Sequence, residues 1–105
     1  MAMEWRYTDG YDTAEFSKTI VKDDSYELAA DEKQLFVNFA ISAASKSLTL
    51  GLADGQSMIV HNVHASRAAT VKNLSGDTGT SVGAGKVAIV YGSTTSDATK
   101  IVLLN

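Results

Sequence analysis

The chain has 105 residues, no cysteine, no proline and a formal net charge of −3. That length makes one domain with a modest core and leaves no room for a second. Without cysteine, disulfides and thiolate metal sites are excluded, which fits a reducing compartment or a protein that gains stability by assembling. The charge is too small for long-range steering, and no stripe of basic residues is interleaved with stacking aromatics, so a nucleic-acid module is not expected. Charge is unevenly spread: residues 1–32 carry nine acidic and three basic side chains, the remainder three acidic and six basic.

Met1 to Arg6 lacks a basic stretch followed by an apolar run, and no window approaches the roughly 20 apolar residues of a membrane helix. The expectation is a soluble protein made without a secretion signal, with no membrane partner.

Trp5, Tyr7, Tyr11 and Phe16 fall within the first sixteen residues, half of the aromatics in the chain. Aromatic side chains bring large contact area at low entropic cost and are enriched at interface cores. Two readings stand: a docking arm whose partner interface is Trp5, Tyr7, Tyr11 and Phe16, or a first hairpin turning at Asp9-Gly10, with Trp5 and Phe16 in the domain's own core. The chain is therefore divided into residues 1–16, arm or hairpin, and a β domain over 17–105.

Ser17 to Lys22 reads as a first strand, closed by Asp23-Asp24-Ser25. Residues 26–33 are ambiguous. Asp24 three residues before Glu27 resembles a helix-capping pair, while Tyr26, Leu28 and Ala30 alternate as in a strand, and strand then turn is the reading adopted. Gln34 to Ser42 places Leu35, Val37, Phe39 and Ile41 on one face. Ala43-Ala44-Ser45 connects to Lys46 to Leu52, where Leu48, Leu50 and Leu52 alternate with small residues. Asp54-Gly55 predicts a tight turn into Ser57 to Val63.

Ala68 to Leu74 is the next strand, and the Gly-rich Ser75 to Gly85 reads as a surface loop. Lys86 to Tyr91 is nearly continuously apolar and predicts a strand buried on both faces, and Ala98 to Leu104 is the last. Seven or eight short strands at roughly 8–12-residue spacing predict an all-β fold, a small β-sandwich or jelly-roll-like domain. No coiled coil or repeat is evident. Sheet edges are normally blunted by devices that include proline. At average usage of about 5% a chain this long would hold roughly five prolines, and this one has none. The apolar Ile101 to Leu104 sharpens the problem, and covering edges by homo-oligomerisation is the expected solution.

Several motifs fail on inspection. Gly79 to Lys86 (GTSVGAGK) is one residue too long for a phosphate-binding loop, has Val87 where a hydroxyl should meet magnesium, and precedes a strand rather than a helix. The dinucleotide fingerprint over Gly83 to Ala88 fails for the same last reason. His61 and His64, three apart at the end of a predicted strand, point to opposite faces and would not chelate one ion unless the strand breaks at Asn62. Asp9, Asp12 and Glu15 lack the calcium-loop pattern. Asn73-Leu74-Ser75 is formally a glycosylation acceptor, without meaning unless the chain is secreted. No catalytic, cofactor or metal constellation is read, and no enzyme is expected.

Leu48 to Leu50, Ala53-Asp54-Gly55-Gln56, Asn62-Val63, Thr70-Val71-Lys72-Asn73, Gly76-Asp77-Thr78-Gly79 and Gly85 to Val90 together resemble the small β modules of tailed-phage head-fibre, capsid-decoration and tail-fibre proteins. The likeness runs through the C-terminal half and is one of texture rather than of functional side chains. It implies a non-enzymatic virion component, frequently a trimer, attached to the major capsid protein by its N-terminal segment and exposed on the virion surface after assembly in the host cytoplasm. The alternative is a carbohydrate-binding β-sandwich of an adhesin or tail fibre, with Trp5, Tyr7, Tyr11 or Tyr91 as stacking platforms for a host-surface glycan. A fragment of a larger adhesin or an unrecognised enzyme completes the set.

Overall fold

The computed structural model describes residues 17–105, so the aromatic residues Trp5, Tyr7, Tyr11 and Phe16 and the Asp9-Gly10 turn lie outside the described residues. Among the described residues nine strands follow one another: β1 (Ser17–Lys22), β2 (Tyr26–Glu27), β3 (Phe36–Ile41), β4 (Ser47–Thr49), β5 (Ser57–Asn62), β6 (Ala69–Lys72), β7 (Thr80–Val82), β8 (Val87–Tyr91) and β9 (Lys100–Leu103). They form a five-stranded sheet in the order β1-β3-β5-β8-β9 and a four-stranded sheet in the order β2-β4-β6-β7. The all-β, two-sheet class expected from strand spacing is what is found.

Alternation explains which side chains are inside. In β3, Val37, Phe39 and Ile41 are buried while Phe36, Asn38 and Ala40 are half-exposed, and β5 repeats this with Met58 and Val60 inward. Leu48, Leu50 and Leu52 all enter the core, as their spacing of two predicts. With Val71, Val82, Ala88 and Val90 they fill the space between the sheets. At about 25 cal/mol per Å² of apolar surface removed from water, this continuous cluster is the main favourable term of the fold.

The connectivity is where the structure departs most from the sequence reading. Through β6 the chain alternates between sheets, so that β1, β3 and β5 run parallel in one and β2, β4 and β6 parallel in the other. The result is three stacked rungs, each a strand, a corner and a strand. Phe36 lies beside Ile59 and Ser47 beside Thr70, the same offset along the chain in both sheets. A structural repeat is therefore present although the chain shows none as text. The two segments share a burial pattern and few residues, and alternation, not residue identity, is what stacking demands. After β6 the chain reverses: β7 pairs antiparallel with β6, and β8 and β9 complete the five-stranded sheet antiparallel.

The turn expected at Asp54-Gly55 exists, with Gln56 donating its N–H to the Ala53 carbonyl at 3.0 Å and Gly55 at φ +77°. It is a corner between sheets and not a hairpin, because β4 and β5 lie in different sheets. Residues 26–33 are strand then turn, as read: β2 is followed by a 3₁₀ turn, Ala30–Glu32. The capping pair there is not Asp24 and Glu27. The Glu32 carboxylate accepts the Ala29 N–H at 2.7 Å and the Tyr26 hydroxyl at 2.6 Å.

Two expectations are corrected. The Gly-rich 75–85 segment is not all loop, since β7 sits within it and pairs with β6. And β8 is not buried on both faces: Ala88 and Val90 are inside, Val87 and Ile89 half-exposed, Tyr91 exposed. A continuous apolar run signals burial on both faces only where something covers the second one.

Candidate interaction surfaces

The 92–99 connection between β8 and β9 is held by side chains from two successive corners. Asp54 and Asp77 are separated along the chain by the same offset as the stacked strands, so they occupy equivalent places in neighbouring rungs. Asp54 Oδ1 accepts the Thr94 N–H at 2.6 Å, and the Thr94 hydroxyl donates to the same carboxylate at 3.0 Å. Asp77 Oδ1 accepts the Asp97 N–H at 2.8 Å and Oδ2 the Leu74 N–H at 3.0 Å. Asp97 returns the clasp, its Oδ1 accepting the Thr78 N–H at 2.6 Å. Asp97 sits at φ +57°, a left-handed conformation that aspartate tolerates better than most residues.

Backbone donors favour the charged form of a carboxylate. The Asp97 and then the Leu74 N–H hold Asp77 below the usual carboxylate range, against a smaller opposing effect of burial. Asp54 is lowered by the Thr94 N–H and then its hydroxyl. Asp24 is lowered first by its hydrogen bond to Lys46, whose Nζ lies 3.0 Å away.

Two buried asparagines tie the corners from inside. Asn73 Oδ1 accepts the Leu52 N–H at 2.6 Å, while Nδ2 donates to the Leu52 carbonyl at 3.0 Å and the Ser93 carbonyl at 2.8 Å. Asn62 Nδ2 donates to the Arg67 and Val82 carbonyls, and its Oδ1 accepts the His64 N–H. With its amide enclosed and occupied, Asn73 is not available to carry a glycan.

A cleft of about 290 Å³ beside this clasp is lined by Lys72, Asn73, Asp77, Thr80, Asp97 and Thr99 among others. Its acidic and amide groups already bond to the backbone, so its polarity serves loop closure. A shallower hollow of about 350 Å³ lies by Ser45, Lys46, Thr70 and Ser81 on the four-stranded sheet. His61 and His64 do separate work: His61 Nδ1 lies 3.2 Å from Asn38 Oδ1, and His64 Nδ1 accepts the Ser66 and Arg67 N–H groups at 3.0 Å. Among the described residues no group of three or more His, Asp or Glu side chains is placed to hold a metal ion, and no helix is long and apolar enough to cross a membrane.

The outward faces of the two sheets differ. On the four-stranded sheet one row across the strands reads Ser47, Thr70, Ser81. On the five-stranded sheet the central row reads Ser17, Phe36, Ile59, Ile89, Val102. The interface residues named from sequence, Trp5, Tyr7, Tyr11 and Phe16, precede Ser17, the first member of this row, directly in the chain. Sequence reasoning does not find the apolar row; the unbroken apolar runs in β5 and β8 carry a signal for it, but only the strand order aligns Ile59, Ile89 and Val102. Comparison with protein-family models, with curated proteins and with solved structures found no match.

Proposed function

We propose that this chain is a non-enzymatic structural subunit of a tailed-phage virion, a head-fibre or capsid-decoration protein, acting as a homo-oligomer, with a trimer favoured. In this reading the β body projects from the virion surface and residues 1–16, with Trp5, Tyr7, Tyr11 and Phe16, attach it to the major capsid protein. The observation that carries it is the division of labour along the chain. A stack of β rungs with its corner loops tied down by Asp54, Asp77, Asn62 and Asn73 makes a stiff body. Half of the aromatic residues fall in the first sixteen positions, ahead of that body in the sequence. The phrase-like texture described above points the same way.

The test is co-sedimentation with purified capsids. The full chain is expected to pellet with them, and a chain lacking residues 2–16 to stay in the supernatant with its β-sheet circular dichroism intact. Retained binding by the shortened chain overturns the arm assignment, and no binding by the full chain overturns the capsid reading.

A second reading, a carbohydrate-binding module, keeps one specific observation. Of its four stacking candidates Tyr91 is the one among the described residues, and it is 49% exposed. A glycan array without signal removes it.

A further inference from the structure

The outer face of the five-stranded sheet carries an apolar row, Phe36, Ile59 and Ile89 half-exposed and Val102 exposed. Beside it, one neighbouring row runs Thr19, Asn38, His61, Val87, Leu104 and the other Ser57, Tyr91, Lys100, so the apolar side chains concentrate on β8 and β9 and the polar ones lie mostly toward β1, β3 and β5. Val102 is 51% exposed and Leu104 53%, and the two lie at the β9 edge. Among the described residues no strand position on this face holds a carboxylate, although the sequence has twelve Asp and Glu in all. Lys100, opposite Tyr91 at the edge strand, is its one lysine or arginine in the β5-β8-β9 half. The polar Ser47, Thr70, Ser81 row on the other sheet shows what a solvated face of this protein looks like.

We propose that this face, centred on Ile89 and Val102, packs against a second copy of this chain. Three observations select that occupant. Identical surfaces meet without repulsion only if like charges are absent or at the rim, and here the one lysine of the apolar half lies on the outermost strand. Breadth fits as well. Strands spaced about 4.8 Å apart give a five-stranded face roughly 24 Å wide. That is broad enough for the low end of specific interfaces, which bury about 1,200 Å² over the two partners together. Last, apolar exposure on this face is not confined to one edge: Val102 on β9 is 51% exposed and Val21, on the same face of β1, 70%. The face, and not only the edges, is then what assembly covers.

The assembly does not depend on where the chain works. Loss of capsid binding with the oligomer intact removes the proposed function and leaves this interface, while a monomeric chain that still binds capsids removes this interface and the oligomeric part of that reading and leaves the capsid attachment.

The experiment is light scattering after size exclusion on the full chain across a dilution series. A mass of two or three times 11.1 kDa is expected. Ile89→Lys and Val102→Lys each bury an unpaired cation in the interface and are expected to raise the dissociation constant by about 100-fold or more. Thr70→Lys on the other sheet leaves the mass unchanged. Should Ile89→Lys fail to fold, Val102→Lys, at a half-exposed edge position, carries the test, with circular dichroism as the check on folding. A monomeric wild-type chain overturns the proposal, including one that assembles only when residues 2–16 are removed. So does a Val102→Lys chain that stays assembled like wild type.

Discussion

Replacing Asn73 with alanine is expected to be among the most damaging polar substitutions in this protein. Asn73 is fully buried and makes three hydrogen bonds, two of them to the N–H and carbonyl of Leu52, which is itself 1% exposed. Truncation leaves both Leu52 groups without a partner and without water. A buried backbone group stripped of its partner costs about 1–3 kcal/mol. The third bond goes to the Ser93 carbonyl, which is only partly buried and recovers water, so it adds little.

The expected loss is therefore about 3–5 kcal/mol, a large share of the roughly 5–15 kcal/mol that holds a domain of this size. Urea unfolding followed by far-UV circular dichroism measures it directly, and the melting temperature should fall by on the order of 15 °C or more. Asn38→Ala is the control, because Asn38 is half-exposed and makes one 3.2 Å contact with His61. Its cost should stay below about 1 kcal/mol. Asn73→Asp separates packing from hydrogen bonding. It keeps an acceptor for Leu52 but points a carboxylate at two carbonyls, so its deficit against wild type should shrink as the pH is lowered and the acid regains a donor. A loss below about 1 kcal/mol for Asn73→Ala would refute the view that this amide anchors the corner.

Gly92→Ala tests the close packing of the end of β8 against the 50–56 corner. A Cβ there would sit 2.5 Å from the Leu52 Cβ and 2.9 Å from the Ala53 carbonyl oxygen, so β8 and the 50–56 corner must separate. The cost is about 1–3 kcal/mol, read from the urea midpoint. Acid stability follows from the clasp. Asp54 and Asp77 are held below their ordinary values by backbone donors, so their contribution is complete above the unfolded carboxylate value and is lost as the pH falls through the folded one. Stability should drop as the pH goes below about 4, and Asp77→Asn should make that acid limb shallower; an unchanged limb in the variant would count against the clasp.

Much of the strand pattern was legible because alternation is a local property. A spacing of two in Leu48, Leu50 and Leu52, or in Val37, Phe39 and Ile41, states which side chains go inward whatever the strand's neighbours are. Gly55 marked a turn for an equally local reason, its backbone angle. The interaction surface was legible only in part, since Trp5, Tyr7, Tyr11 and Phe16 can be noticed as a cluster while the apolar row has no contiguous trace in the chain.

What the amino-acid sequence by itself determined is therefore most of the strands, the inward faces of those that alternate, the all-β class and the tight turn at Asp54-Gly55, while β7 and the exposed face of β8 escaped it. What only the tertiary structure decided is which strand lies beside which. A sharp turn between two alternating segments reads the same whether the chain folds back as a hairpin or rounds a corner into another sheet, because the difference lies in pairing partners a whole rung away along the chain. The same holds for Asn73, read as part of the strand Ala68 to Leu74, whose partner, Leu52, arrives only when the rungs stack. Long-range pairing brings together Ile59, Ile89 and Val102, and with them the face through which the chain meets its next copy in the proposed assembly.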